Sequence, residues 1–468
     1  MSDEYIFMWC QKPLLPSNHG TAVALKGGAE ALDVFATAHI LQYYDGKLLS
    51  TYIMKKDIND WKANKSIKFL DPSFYKKYSE KYEQESKKWW EWIREVEKKD
   101  YSNLTKKELI EDHELFSRFM VNSISFFGST RPEFTYAVEQ KLEEHLKKYF
   151  RDDWGDAFTV LATSSEEDEV QKEQKDWKIL VESNPSDESL LNHTSKYPWL
   201  VLGTFSEEEA LKHLKELMKN NEEEAVKKED IVQKKKEILD KMEEDVKYLS
   251  TFLQEQSVRR MHIKAYWAGC YYLARNLLNA IAKEIGLEVS ELIEFLLPPE
   301  VDEILKGEKT IDDIPLEKRK EKYITYFNPG EEIEITEGEE AEVLFKQKIK
   351  PPEKKLEIKG QTASVGKCTG KVRIVMPGDT KMLMNDIKEF QKGDVMVTSM
   401  TQPNMIPIVK KAAGIVADEG GITSHAAIIA REFGIPCIVG CLEAAQIFNN
   451  GDIIEVDADN GAVRKINE

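Results

Sequence analysis

The chain changes its sequence pattern once, after about Asn328, and this change limits it to a fold with two unlike parts. Before this point Gly and Pro are sparse, and long runs mix Leu, Trp, Tyr and Phe with Lys and Glu at helical intervals. After it, short β-branched segments alternate with helical ones. We therefore predict a multidomain protein with a mainly α-helical N-terminal region (1–340), a linker (341–358) and a small α/β domain (359–468).

The same patterns predict individual elements in both parts. The charged and then apolar stretch 222–287 indicates two helices, the second of them buried from about Ser257 and ended by Gly286. Other amphipathic helices are predicted at 75–99, 106–127, 135–150 and 206–221. Strands of the C-terminal part are predicted at 371–376, 394–399, 414–417, 436–439 and 452–457.

Composition excludes several classes of function. The formal net charge of −18 disfavours broad attraction to nucleic acid or to an anionic membrane. The sequence has no run of about 20 apolar residues that would span a bilayer, and its start, MSDEYIF, is unlike a signal peptide. We therefore predict a cytoplasmic protein with no nucleic-acid or membrane partner. The five cysteines are odd in number and dispersed, which favours reduced thiols and predicts no metal site.

The segment from Gly393 to Gly440 carries the most specific chemistry. Gly420 and Gly421 allow a sharp turn after a strand, and Thr423 or Ser424 then caps a helix. His425 falls in the first turn of that helix, where backbone N–H groups and the helix dipole favour negative charge. A neutral imidazole in this position suits transient attachment of a phosphoryl group.

Neighbouring side chains add to this hypothesis. The hydroxyls of Thr423 and Ser424 are candidates for bonding the phosphate oxygens. Arg431 lies about two turns further on, where it either reaches the anion or pairs with an acidic neighbour at the surface. A lone histidine here would be explained by capping or packing alone, so the case for His425 depends on the residues around it.

Those residues, GGITSHAAIIAREFGIPCIVG, resemble the phosphohistidine motif of the PEP-utilising enzymes. This family includes phosphoenolpyruvate synthase, pyruvate phosphate dikinase, enzyme I of the sugar phosphotransferase system and rifampicin phosphotransferase. The resemblance extends over residues 358–468 and implies a β/β/α swivelling domain with His425 as the phosphoryl carrier. Asn404 stands where the family usually has Asp, and Ala417 where Thr is common.

In this family an ATP-grasp domain loads the histidine, and the swivelling domain carries the phosphoryl group to an acceptor on a third domain. Only 28 residues follow Gly440, so we expect the barrel that binds phosphoenolpyruvate to be absent. Residues 21–35 resemble the opening of the synthase nucleotide domain only faintly, and its later arginine-serine-serine signature is missing. We therefore interpret Gly27 and Gly28 as an ordinary turn and expect the ATP-grasp domain on another chain.

The segment SVRRMHIKAYWAGCYYLARNLLNAIAKEIGL resembles the helical acceptor-binding domain of rifampicin phosphotransferase. This second resemblance implies that Arg259, Arg260 and His262 steer the phosphoryl group or deprotonate an acceptor. The alternative is an exposed basic helix start. The aromatic residues of this region are predicted to lie in the core rather than in a ligand pocket.

Together these observations predict a dikinase- or PEP-synthase-like phosphotransferase subunit. It would carry a phosphoryl group on His425 from a nucleotide-binding partner to a small-molecule acceptor in the helical region. No cofactor is expected to bind tightly. The donor is expected to be Mg-ATP, held by a separate ATP-grasp subunit, or phosphoenolpyruvate. The alternative is a non-catalytic phosphocarrier or regulatory scaffold.

Overall fold

The computed structural model describes residues 4–11, 38–150, 154–219, 229–328, 331, 333–350, 355–377, 380–421 and 424–466. The predicted turn at Gly27 and Gly28 lies outside these residues, and so does Thr423. Among the described helices, none is both long and apolar enough to cross a membrane. We call residues 4–350 the N-terminal region and residues 355–466 the C-terminal region.

The N-terminal region is mainly helical, as the sequence predicts. Its helices are α1 (Lys55–Asp60), α2 (Pro72–Lys98), α3 (Lys106–Ser129), α4 (Pro132–Phe150), α5 (Trp154–Ala162), α6 (Glu169–Glu182), α7 (Asp187–Lys196), α8 (Glu207–Lys219), α9 (Glu229–Leu239), α10 (Glu244–Leu273), α11 (Arg275–Ile285), α12 (Val289–Phe295), α13 (Pro298–Lys306), α14 (Leu316–Glu321) and α15 (Glu339–Lys348). The start of α3 is a capping box, in which Thr105 and Glu108 each bond the other's backbone.

The longest of these helices, α10, corrects one prediction. The buried helix does not begin near Ser257, because α10 runs without a break from Glu244 to Leu273 and only then gives way to α11. Gly286 ends α11 in the left-handed conformation, as predicted. Most of α10 is buried, so the charged side chains near its centre lie inside the protein rather than on a surface.

The N-terminal region also contains a sheet that the sequence analysis did not predict. Five antiparallel strands lie in the order β1-β3-β2-β4-β5. They are β1 (Tyr5–Gln11), β2 (Ile40–Tyr44), β3 (Leu49–Met54), β4 (Tyr323–Phe327) and β5 (Glu334–Glu337). The sheet therefore joins the two ends of the helical region.

Helix α15 occupies the first part of the segment predicted as a linker. It packs on the five-stranded sheet, where the ring of Phe345 stacks on Tyr43 with centroids 4.1 Å apart. Stacked aromatic pairs of this kind add to the stabilisation from apolar burial. Residues up to about Lys348 therefore belong structurally to the N-terminal region, while the predicted domain boundary itself stays a prediction.

The C-terminal region is built on an eight-stranded sheet. Its strands are β6 (Glu357–Lys359), β7 (Gln361–Ser364), β8 (Lys367–Ile374), β9 (Val395–Thr398), β10 (Gly414–Ala417), β11 (Cys437–Val439), β12 (Ile453–Asp457) and β13 (Ala462–Lys465). Its helices are α16 (Thr380–Glu389), α17 (Ile406–Val409), α18 (His425–Phe433) and α19 (Ala444–Ile447). All five predicted strands are present.

The order of these strands, β6-β13-β12-β8-β9-β10-β11-β7, places a parallel block in the middle. Strands β8, β9, β10 and β11 are parallel, and the outer strands are antiparallel. Because the carboxyl ends of parallel strands meet at one edge of a sheet, the loops that follow β9, β10 and β11 lie side by side. This edge carries the candidate site.

The two faces of the central strands belong to different cores. Val395, Val397 and Val416 point into a small core that is local to the C-terminal region. Met396 and Ile415, on the opposite face, join α18 in a core that is continuous with the helices of the N-terminal region. Alternation of side chains along a strand produces this division. The C-terminal region is therefore held against the helical region through one face of its sheet.

The close approach of β8 and β9 gives a first testable prediction. A Cβ atom at Gly370 would lie 2.5 Å from the carbonyl oxygen of Gly393, whereas a Cβ at Gly155 would meet nothing within 4 Å. We expect Gly370→Ala to lower the free energy of unfolding by about 1–3 kcal/mol, because overpacking forces the backbone to shift. Gly155→Ala, within α5, should be neutral or slightly stabilising. Urea unfolding of both variants measures this, and equal stability of the two would contradict it.

Candidate functional site

The turn that leads into α18 is built by the glycines that the sequence singles out. Gly420 has a φ of +119°, and a Cβ at this position would lie 2.7 Å from the Cβ of Ser424. Ser424 is the N-cap of α18, and its hydroxyl accepts a hydrogen bond from the backbone N–H of Ala427 at 3.3 Å. His425 is therefore the first residue of α18, as predicted.

His425 is almost fully buried, with 1% of its surface exposed. Its Nδ1 atom lies 2.8 Å from the hydroxyl oxygen of Thr401, in the loop after β9. Its Nε2 atom is also buried and has no hydrogen-bond partner among the described residues. When Nδ1 carries the proton and donates a hydrogen bond to the Thr401 hydroxyl, the lone pair of Nε2 remains available.

The electrostatic surroundings keep this ring neutral. Burial first, and then the positive charges of Lys264 and Arg260, hold the pKa of His425 well below its usual value of 6.5. Protonation would add a third positive charge next to two others. At neutral pH the imidazole is therefore in the form that acts as a nucleophile.

Cationic side chains from the N-terminal region surround this point. We call Arg131, Arg260 and Lys264 the cationic cluster; all three are buried. Arg260 and Lys264 are four residues apart and share one face of α10. Lys264 donates to the carbonyl oxygen of Thr401 at 3.0 Å. The cluster therefore contacts the loop that holds the histidine ring.

One carboxylate of the C-terminal region reaches into this cluster. Glu419 Oε1 accepts a hydrogen bond from Arg260 Nη2 at 3.0 Å and lies 3.6 Å from Arg131 Nη1. Burial raises the pKa of Glu419, but the charges of Arg131, Arg260 and Lys264 outweigh it and leave the pKa below its usual value. A buried carboxylate in this position is ionised and links the two regions.

The third cation is held less firmly in its charged form. Burial, followed by the positive charge of Arg260, lowers the pKa of Lys264 to about 7. Its ammonium also lies 5.9 Å from the ring centroid of Phe127, which Arg260 approaches to 4.5 Å. A negative group placed near Lys264 would raise its pKa and keep it protonated.

Two of the three predicted substrate-binding residues lie elsewhere. Arg259 packs against the rings of Tyr75, Tyr78 and Tyr82, and His262 Nδ1 is 2.6 Å from the hydroxyl of Tyr82. Both line an open cavity of about 860 Å³ between α2, α6 and α10. Of the three, Arg260 alone contacts the loops around His425. None of the three is at an exposed helix start, because α10 begins 15 residues before Arg259.

The remaining predicted residues fall at varying positions. Ser424 caps the histidine helix, and Thr423 lies outside the described residues. Arg431 donates from Nη1 to the carbonyl oxygen of Ala363 on β7 at 3.2 Å. Burial lowers the pKa of Arg431 to about 10. Arg431 thus bonds the neighbouring strand β7, and its predicted contact with the phosphoryl group or with an acidic residue stays a prediction.

Four residues of the site were not assigned from the sequence: Arg131, Lys264, Thr401 and Glu419. Lys264 carried a usable signal, since its spacing of four from Arg260 places both on one helical face. Thr401 lies in the segment TQPNM, within the range that resembles the PEP-utilising enzymes, but its residue type alone indicates no role. Arg131 and Glu419 depend on a contact between distant parts of the chain, which no local pattern reveals.

One group of potential metal ligands occurs among the described residues. His145, Glu243 and Asp245 place ligand atoms within 4.8 Å of one another, and the two carboxylates are exposed. Exposed acidic groups are often found together without an ion. This group lies in the N-terminal region on α4 and at the start of α10, and nothing there contacts His425.

Comparison with known proteins finds a family match within the C-terminal region. The family model described as "PEP-utilising enzyme, mobile domain" matches residues 390–461. A probable phosphoenolpyruvate synthase of Methanothermobacter thermautotrophicus is 37% identical over 134 residues, which cover 29% of this chain and 17% of the relative. The phosphoenolpyruvate synthase of Pyrococcus furiosus is 42% identical over 132 residues, covering 28% of this chain and 14% of the relative.

A third relative is an uncharacterized phosphotransferase of Bacillus subtilis, 42% identical over 104 residues, 22% of this chain and 12% of the relative. The chain thus spans less than a fifth of the length of each of these relatives. The family match includes the turn at Gly420, the helix cap at Ser424 and His425 itself. Residues 390–461 are therefore a mobile domain of the PEP-utilising enzyme family.

Proposed function

We propose that this chain is a phosphotransferase component that carries a phosphoryl group on His425. The group would come from Mg-ATP bound by a separate ATP-grasp subunit, or from phosphoenolpyruvate. It would pass to a small-molecule acceptor bound at the helical region. The relatives named phosphoenolpyruvate synthases support the donor chemistry, and their matches cover 29% and 28% of this chain.

The observation that supports this proposal most is the pairing of His425 with cations from the other region. Nε2 is buried and has no partner among the described residues, while Arg260 and Lys264 provide positive charge beside the ring. A phosphohistidine brings about two negative charges, which buried cations would stabilise. A histidine that only capped a helix would need neither feature.

The proposed step is a direct displacement at phosphorus. The Nε2 lone pair attacks the phosphorus, an N–P bond forms, and the bond from phosphorus to the leaving oxygen breaks. The Nδ1 proton stays in its hydrogen bond to Thr401. Transfer onward reverses these roles: the acceptor oxygen attacks phosphorus and Nε2 leaves. Arg260 and Lys264 would then stabilise the charge on the moving phosphoryl group.

Loading of His425 is directly testable. Purified chain is incubated with Mg-ATP, with and without a candidate ATP-grasp partner, and separately with phosphoenolpyruvate, and its intact mass is measured at alkaline pH. We expect an acid-labile gain of one phosphoryl group in the wild type and none in His425→Ala, because the nucleophile is gone. The matched control is His39→Ala, which should leave loading unchanged, because the His39 imidazole lies just before β2 and contacts Asp57 of α1.

The other outcomes of this experiment are informative. An adduct with ATP in the absence of any partner would show that this chain binds the nucleotide itself. An adduct that persists in His425→Ala would place the acceptor elsewhere. Complete loading without transfer to any small molecule would favour the phosphocarrier or scaffold. No adduct with either donor and a competent partner would contradict the proposal.

The lowered pKa of His425 gives a prediction on pH. Between the folded pKa and about 6.5, the unfolded chain binds more protons, so the free energy of unfolding falls as pH falls through this window. In ¹⁵N-histidine NMR spectra, the signals of the His425 ring are identified by their absence in His425→Ala. These signals should show a neutral ring at pH 6. Lys264→Met should raise this pKa yet leave it below 6.5, because burial is the larger cause. Titration near 6.5 in the wild type would contradict the buried arrangement.

A further inference from the structure

The buried position of His425 has a consequence for loading. In the arrangement described here, which we call the docked arrangement, Nε2 is inaccessible and α10 lies against its loop. An in-line attack on a phosphoryl donor needs open space in front of Nε2. The loops that carry His425 and Thr401 must therefore separate from α10 before a donor can approach.

The contacts that must break include the apolar core that both regions share and a hydrogen bond from Gln171 to Glu432, and three further contacts lie around the histidine. Lys264 bonds the Thr401 carbonyl at 3.0 Å, and a Cβ at Gly421 would lie 3.3 Å from Pro132, which shows how closely that turn packs on the start of α4. The third contact is Glu419 with Arg260 and Arg131. Of these, only the contact of Glu419 is a pairing of opposite charges across the boundary.

The charge balance shows why Glu419 matters. In the docked arrangement the three buried cations face Glu419 and Glu133, which accepts from Arg131 Nε at 3.2 Å. Without Glu419, Arg260 would keep the Thr130 carbonyl and hydroxyl as hydrogen-bond partners and the ring of Phe127 as an aromatic contact, but it would lose the carboxylate bonded to it. A buried charge without its counter-charge is strongly unfavourable, whereas in an open arrangement all these groups are hydrated. Removing the carboxylate therefore destabilises the docked arrangement selectively.

We propose that Glu419 is a docking residue that holds the mobile domain on Arg260 and Arg131, and thereby sets the balance between the buried and the loadable state of His425. Glu419 touches no reacting atom, so its role is one of positioning. The inference deepens the proposed function by naming how access to that site is regulated. Its first readout does not depend on phosphorylation.

That readout is the chemical accessibility of His425 in unphosphorylated full-length protein. Diethylpyrocarbonate modifies exposed imidazoles, and mass spectrometry of the peptides reports each histidine separately. We expect Glu419→Gln to raise the rate of His425 modification about tenfold or more, since removing one partner of a buried pair costs more than the 1.4 kcal/mol that corresponds to a factor of ten. Arg260→Met should act in the same direction but less strongly, because Arg131 remains beside Glu419.

Two controls separate undocking from other effects. Glu443→Gln removes another carboxylate of the mobile domain. Glu443 pairs with Lys355, at 2.7 Å, and not with the cationic cluster, so this variant should leave His425 protected. His113, buried against Asp302 in the helical region, should stay unmodified in every folded variant. If His113 also becomes reactive, the variant has unfolded. Glu419→Asp then takes the place of Glu419→Gln in the experiment, because it keeps the negative charge on a shorter side chain. A rate of His425 modification above the wild-type rate in Glu419→Asp, with His113 still protected, would then support the proposal.

The proposal is overturned if His425 is modified at the same rate in Glu419→Gln as in Glu443→Gln while His113 stays protected. If Glu419→Gln does not fold, the proposal is overturned when His425 is modified at the wild-type rate in both Glu419→Asp and Arg260→Met. The second readout is the rate of phosphoryl loading, which should rise in Glu419→Gln because more of the chain exposes Nε2. If no variant is ever phosphorylated, the proposed function fails while the accessibility result still decides the role of Glu419.

Discussion

Taking a cation out of water costs free energy unless an opposite charge or an aromatic face replaces the lost hydration. Helix α10 carries Arg259, Arg260 and Lys264 into the interior within six residues, and each is compensated differently. Arg259 packs on three tyrosine rings of its own region. Arg260 and Lys264 take partners from the C-terminal region, a carboxylate and a carbonyl. These polar contacts, together with the apolar core that both regions share, hold the C-terminal region against α10.

The same requirement explains the state of the histidine. The loops that satisfy the two cations also bring His425 next to them, and their charges, added to burial, keep the ring neutral. Glu419 brings a negative charge into the same space, and its ionised form is favoured by the cations that it neutralises. The protonation states of the whole group are therefore coupled, and a change at one member alters the others.

Local patterns were sufficient for much of this structure. The strand and helix pattern predicted the C-terminal sheet, and Gly420, Ser424 and His425 form the turn, cap and helix start that their residue types indicate. The five-stranded sheet of the N-terminal region could not be predicted in this way, because β4 pairs with β2 across some 280 residues. The partnership of Arg131 and Arg260 with Glu419 was equally hidden, since it depends on tertiary packing rather than on spacing. Arg259, Arg260 and His262 are close in sequence, and the sequence does not give the rotation of α10 about its axis. That rotation decides which of the three faces His425.

The stacking of Phe345 on Tyr43 fixes α15 to the first sheet, and this contact defines where the tether of the mobile domain begins. Eight residue steps separate Ile349, just after α15, from Glu357 at the start of β6. A fully extended chain of this length reaches about 29 Å at most. Any separation of the C-terminal region from the helices is limited by this length. Under the proposed function, a donor subunit would therefore have to present its phosphoryl group within that distance of α15.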